Sequence, residues 1–213
     1  MIRKLKTVLL ILAASLFMFP AKGQFRFGIE GGANLSTLVL KNYTIDHARN
    51  LFRPGFIAGP VAEYAFSGHL SVRTALILET RGANGTYRSD TLNLDANTRL
   101  YYLDIPLLIR GSIKAGEFIV FLNAGPYAGM GLTGKKTLET QDNRTTWDIK
   151  WGKDVQDDFK RLDYGITAGG GIEWNRISLG GSFSVGLANI YSAPQTGYII
   201  QHRVISLKAD YFF

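Results

Sequence analysis

The chain has 213 residues, 46% hydrophobic, 19% charged and 12% aromatic, with a formal net charge of +7 and no cysteine. That length suits one β-rich domain, the apolar content excludes intrinsic disorder, and the missing cysteines exclude a disulfide scaffold, a thiolate metal site and a lipid-modified cysteine anchor. Arg3, Lys4, Lys6 and Lys22 lie in an acid-free leader; the 20 remaining basic residues face 17 acids, a net of +3, with no clustered basic face for nucleic acid.

Residues 1–23 read as a secretory signal peptide. Arg3, Lys4 and Lys6 form a positive n-region, Val8 to Phe19 an apolar run broken only by Ser15, and Ala21-Lys22-Gly23 a small-residue cleavage site before Gln24. Twelve helical residues rise about 18 Å, against about 30 Å of hydrocarbon, so the run is too short for a membrane anchor. No later segment is apolar for long enough to be a membrane-spanning helix. Residues 24–213 are then the exported domain.

Eight segments of that domain alternate apolar with small or polar residues, the signature of strands. They fall near 25–35, 53–66, 70–81, 99–111, 117–132, 161–174, 177–189 and 202–213. Tight turns at Ser67-Gly68-His69, Ser112 to Gly116 and Asn175-Arg176 alternate with long polar connections at 36–52, 82–98, 133–160 and 190–201. Outer-membrane barrels connect their strands this way, with short periplasmic turns and long external loops. The reading is all-β: an eight-stranded antiparallel up-and-down transmembrane β-barrel.

Each strand carries one mainly apolar row, such as Leu70, Val72, Thr74, Leu76 and Leu78, or Tyr101, Leu103, Ile105, Leu107 and Ile109. A soluble lipocalin-like barrel would turn that row inward. The opposite row decides against it. It is rich in glycine and serine (Gly28, Gly32, Gly59, Gly125, Gly129, Gly165, Gly169, Gly171, Ser182, Ser184), which fit a narrow lumen. It also mixes Glu30, Glu63, Glu79, Asp104, Glu117, Asp163 and Glu173 with Arg26, Arg73, Arg81 and Arg110, charges that can pair inside a barrel. Aromatic residues near strand ends, among them Phe25, Phe27, Tyr64, Phe66, Phe118, Trp174, Tyr211 and Phe213, suit interfacial girdles. Pro60, Pro106 and Pro126 fall within strands and, lacking a ladder donor, are expected at bulges or strand ends.

Several stretches together resemble the small outer-membrane barrels of Bacteroidota, the PorT-like or OmpX-like family. They are Gly28 to Ser36 (GIEGGANLS), Arg53 to Phe66 (RPGFIAGPVAEYAF), Tyr101 to Ile109 (YYLDIPLLI), Gly125 to Gly129 (GPYAG), Asp163 to Glu173 (DYGITAGGGIE) and the terminal Asp210-Tyr211-Phe212-Phe213. The resemblance implies an eight-stranded barrel in the Gram-negative outer membrane and accommodates the strand prolines. It implies no single activity; the founding member is associated with a protein secretion system.

Candidate chemistry is sparse. A lipid-modifying barrel enzyme needs His, Ser and an acid together, and the histidines are His47, His69 and His202, the last with Ser206 four residues on, about 13 Å along a strand. Asp154, Asp157 and Asp158 lack the alternation and glycine turn of a calcium loop. Trp147 and Trp151 in the same loop are expected to be exposed anchors for a protein or glycan partner. No phosphate loop, dinucleotide fingerprint or HExxH is present, and Gly169-Gly170-Gly171 reads as close-packing glycine. No catalytic, cofactor-binding or metal residues are assigned. The expected partners are outer-membrane lipid, an external protein or glycan, and the barrel-assembly machinery, met through the alternating C-terminal strand from Ile205 to Phe213. A small solute pore is the alternative function, and lipid modification a third.

Overall fold

The computed structural model describes residues 24–42, 48–88, 93–140, 143–192 and 197–213. The leader and His47 lie outside these. The strands are β1 (Gln24–Lys41), β2 (Ala48–Leu51), β3 (Arg53–Ala65), β4 (Leu70–Ala75), β5 (Ile77–Arg88), β6 (Asn93–Ala115), β7 (Phe118–Glu139), β8 (Arg144–Asp148), β9 (Leu162–Trp174), β10 (Ile177–Gly186) and β11 (Ile199–Phe212). Among the described residues no helix is long and apolar enough to cross a membrane.

The ring runs β1, β3, β4 with β5, β6, β7, β9, β10 and β11, and β11 closes on β1 from Gly28 opposite Phe212 to Lys41 opposite Ile199. β4 and β5 are one wall strand interrupted at Leu76, so eight strands form the barrel, all antiparallel. β2 and β8 extend the sheet beyond the ring, on β5 and β7. Closure leaves the transmembrane wall no unpaired edge, which lipid would penalise.

One end is built of tight turns. Gly116 (φ 64°) and Asn175 (φ 54°) take the left-handed conformation at the β6–β7 and β9–β10 hairpins, where glycine and asparagine are tolerated. At the third, the Ser67 hydroxyl accepts from the Leu70 amide at 3.2 Å. Glu117 sits in the β6–β7 turn, exposed, rather than in the lumen row: the turn is Gly116-Glu117, two residues later than the sequence pattern places its centre, and β6 runs on to Ala115.

At the other end the strands outrun the sequence reading. The β5–β6 ladder continues to Arg88 opposite Asn93, and β6–β7 to Asp95 opposite Glu139. Most of the expected long connection at 82–98, and part of that at 133–160, is therefore strand. Their side chains are polar on both faces, as water on both sides of a protruding hairpin allows, so no apolar row marks them.

The wall rows fall as the alternation predicts. Ile105, Leu107, Ile109, Leu122, Ile166 and Leu207 are exposed on the outside, while Arg73, Glu79, Arg81, Asp104, Arg110, Asp163 and Glu173 are buried inside. Exposed Phe25, Phe27, Phe66, Phe118, Trp174, Tyr211 and Phe213 gather at the tight-turn end, with the Phe25 ring tilted against Tyr64 at 4.6 Å. The prolines differ from expectation. None sits at a bulge; Pro60, Pro106 and Pro126 lie inside β3, β6 and β7, and the ladders on either side of them keep one register. The missing donor costs local pairing only, and at Pro106 the Thr74 hydroxyl donates to the carbonyl at 2.8 Å.

Candidate functional site: the charged lumen and its plug

The lumen row places charges from strands distant in sequence against one another. Near the tight-turn end Arg110 donates to Glu63 at 3.0 Å and to Glu173 at 2.5 Å, and Arg26 pairs with the same two carboxylates. The Ser71 hydroxyl also donates to Glu63, at 2.6 Å. Arg110 lies 3.8 Å over the Phe121 ring and Arg26 4.0 Å over Phe212, so both cations are sandwiched between carboxylate and π-face.

At mid-height Arg73 pairs with Glu30 at 2.5 Å and Asp210 at 2.7 Å, and Lys208 reaches Glu30 at 3.1 Å. Higher still, Arg81 is gripped by Glu79, Asp104 and Asp163. Tyr127 donates to Asp163 at 3.2 Å, and His202 Nδ1 lies 3.1 Å from the same oxygen. Gly129 makes this possible: a Cβ there would stand 2.1 Å from Asp104 Oδ1. A lone charge buried in this wall would be costly, and each of the charges named here is paired at least once.

An apolar lid covers the upper end. Leu38, Ala83, Leu100 and Tyr102 from the strands, with Ala188 and Ile190 from the segment after β10, enclose Ile149 and Phe159 from the segment after β8, with Trp151 packed against them. Trp151 meets Tyr102 edge-on at 5.8 Å, and Tyr102 meets His202 in the same way at 5.2 Å. Gly131 admits the indole, since a Cβ there would lie 2.4 Å from it. The segment is tied down by main-chain bonds from Ile149 to Gly134 and from Lys160 to Ile190.

Trp151, expected as an exposed anchor, is instead half-buried in this plug, because the barrel mouth offers it an apolar seat. Trp147 stays half-exposed, with Lys136 Nζ 5.8 Å from its ring. The aspartates do not converge: Asp157 caps the Asp154 amide and Asp158 the Lys150 amide, each at 2.9 Å. Among the described residues no cluster of His, Asp and Glu could hold a metal. His202 is fully buried against Asp163, His69 is exposed in its turn, and no bond joins His202 to Ser206.

Sequence reasoning missed the plug and the roles of Lys208 and Asp210. A signal for the plug was present in the alternation of Ile149 and Trp151 inside a polar loop, opposite Gly131 and Gly134.

The family model described as "Outer membrane protein beta-barrel domain" matches residues 14–192. No curated protein matches the chain. Among solved structures, the attachment invasion locus protein Ail of Yersinia pestis aligns at 13% identity over 89% of this chain and 99% of its own, with a TM-score of 0.43. OprG from Pseudomonas aeruginosa aligns at 14% identity over 91% and 98%, with a TM-score of 0.45. Neisserial surface protein A aligns at 9% identity over 88% and 97%, with a TM-score of 0.43. Likeness this distant transfers no activity.

Proposed function

Because the chain belongs to the outer membrane protein β-barrel domain family, we propose that it acts as an axially closed, non-enzymatic barrel of the Bacteroidota PorT-like or OmpX-like kind, working through surface interaction. The observation that carries this reading is closure at two levels. The Arg26–Arg110–Glu63–Glu173 cluster fills the lumen near the tight turns, and the Ile149–Trp151–Phe159 plug fills the mouth. Eight strands leave an interior just wide enough for side chains, so free solute flow has no path.

The interacting part is the extended ladder of β5 to β8. A cleft of about 600 Å³ on its outward face is lined by Asn84, Asn97, Arg99, Lys135, Glu139 and Arg144, among others. Closely spaced amides and mixed charges suit a polar partner, a glycan or a hydrophilic protein segment, better than an apolar one. Service as a membrane partner of an envelope assembly, such as a secretion system, fits that arrangement. In this reading residues 1–23 are removed during export, as their charged, apolar and small-residue regions support, and the barrel-assembly machinery receives the C-terminal strand.

The test is reconstitution of the full barrel in planar bilayers, paired with photo-crosslinkers at Asn97 and Thr146 in cells. Silence in the bilayer with a reproducible adduct at those positions supports the proposal. Stepwise conductance overturns closure in favour of a solute pore, and a loop surface without any adduct removes the interaction role.

A further inference from the structure

Two cations face each other where the wall leaves the membrane. On β6 the outward row Leu103, Ile105, Leu107, Ile109 and Ile113 is apolar, interrupted only by Gly111. From Leu103 to Ile113 the strand rises about 33 Å at about 3.3 Å per residue. A tilt of about 40° turns this into the apolar band about 25 Å tall of a membrane barrel. Tyr101 follows at the level of a girdle aromatic, and Arg99, next in the same row, stands at headgroup height. Its rung partner on β7 is Lys135, and both side chains are exposed. Like charges directly opposite on adjacent strands repel, and among the described residues neither has a carboxylate in ion-pair range. Asp148 stands opposite Lys135 on β8, without an ion pair to it.

A third cation lies behind them. Arg53 is only 5% exposed, and its Nε reaches Oδ1 of Asn97, the row neighbour of Arg99, at 3.4 Å. Its Nη1 donates to the Pro54 carbonyl at 3.2 Å, and among the described residues it meets no carboxylate. A buried charge without a counter-charge is costly. The acids of the outward cleft are elsewhere: Asp95 and Glu139 face each other two positions further along the row, with Arg144 3.9 Å from Glu139. The cleft is therefore divided, with cations and the bonded Asn84–Asn97 amides towards the membrane and acids at the far end.

We propose that the membrane end of this cleft binds the phosphate of an outer-leaflet glycolipid through Arg99 and Lys135, with Asn97 beside them and Arg53 behind. A phosphate converts their repulsion into two charge-assisted contacts, and the planar guanidinium can take two of its oxygens at once. Height decides the source. The cationic rung continues the lipid-facing row, so a phosphate carried on acyl chains is already held at the right depth, whereas a free anion loses all its freedom of motion on binding. This site depends on the reading of the cleft as an outward binding face, and it leaves the far end to the polar partner. The two fail separately: lost adducts at Thr146 would remove that partner and leave lipid selectivity intact, whereas lost lipid selectivity would leave the adducts.

The test titrates the full barrel in detergent micelles with monophosphoryl lipid A or with the same lipid dephosphorylated, and bound lipid is counted by native mass spectrometry. The unaltered protein should half-saturate at about a tenfold lower concentration of the phosphorylated form, the least that one charge-assisted bond supplies. The variant carrying Arg99→Gln and Lys135→Gln should lose this preference. Lys114→Gln, at the tight-turn end of the same strand, should keep it. Equal retention of the two lipids by the unaltered protein overturns the proposal without any variant. An unchanged preference in the double variant, or its loss in Lys114→Gln, overturns it too. Glucosamine 1-phosphate is the free-headgroup arm: displacement of the lipid by an equal concentration of it overturns the lipid source in favour of a soluble phosphate. Heat-modifiable gel migration checks that the variants are folded, as removal of a repelling pair favours.

Discussion

Arg110 on β6 donates to Glu173 on β9 at 2.5 Å across the lumen, although β7 stands between those strands in the wall. The bond is a strut that bypasses the ladder, and Glu63 and Arg26 complete it from β3 and β1. Removing one partner leaves a buried charge behind. Arg110→Met or Glu173→Gln should each cost about 3–5 kcal/mol, and the double variant less than the sum. Urea unfolding from lipid vesicles, followed by tryptophan fluorescence, gives the three values; strictly additive losses would mean that the strut does not exist.

The outward row makes a separate prediction. Ile105 is 54% exposed on the wall face at mid-strand, and arginine at the bilayer midplane costs about 2–4 kcal/mol. Ile105→Arg should lose that much in vesicles and far less in a detergent micelle, whose polar shell lies closer. Ser182→Arg, on the lumen side, should destabilise equally in both media, through crowding. Equal losses for Ile105→Arg in vesicles and micelles would show that the side chain does not meet lipid.

How far the sequence reveals the fold depends on what surrounds each strand. Where one face meets lipid and the other a polar lumen, period two is strong, and the rows of Arg73, Glu79 and Arg81 or of Ile105, Leu107 and Ile109 can be read directly. Beyond the membrane both faces meet water. Asn84, Asn97 and Thr137 stack on adjacent strands without an apolar row to announce them, so the ladder is illegible there. Glu117 continues the alternation of β7 and looks luminal, but the two-residue turn takes it. The charged rows were visible and their pairing was not: which carboxylate meets Arg73 depends on register across the closed ring. The plug was hidden for a related reason, since Trp151 is buried only because Gly131, 20 positions earlier, leaves room for it.

That last relationship can be tested alone. Gly131→Ala puts a Cβ where the Trp151 indole now lies, 2.4 Å away. The indole must leave its seat, at the cost of about 1–3 kcal/mol typical of overpacking. With Trp147→Phe and Trp174→Phe as background, Trp151 is the only emitter. Its emission should shift red and become quenchable by iodide added outside proteoliposomes. An unchanged spectrum would mean that the plug is not seated on Gly131.

The end of the chain carries the final prediction. Ile205, Leu207, Ala209, Tyr211 and Phe213 put an outward side chain at every second position, and Phe213 is 70% exposed, edge-on to Tyr211 at 5.9 Å. In the finished barrel its amide donates to Phe27 at 2.9 Å, the last bond before the chain ends. Before closure that same strand is an open edge, able to pair with a partner strand until β1 replaces it. A mere girdle aromatic and a signal for the assembly machinery therefore differ in when they matter. Deleting Phe213 removes one ring from a belt that already holds Phe25, Phe27 and Trp174, so the folded barrel should lose only about 1 kcal/mol, of the order of an aromatic contact. If the residue is also the signal, cells should fail to insert the chain, and it should be degraded in the periplasm. The comparison is outer-membrane yield against refolding of the same deletion into lipid vesicles, read by heat-modifiable gel migration. Poor yield in cells with normal refolding in vitro is expected, and normal yield in cells would leave Phe213 a girdle residue alone.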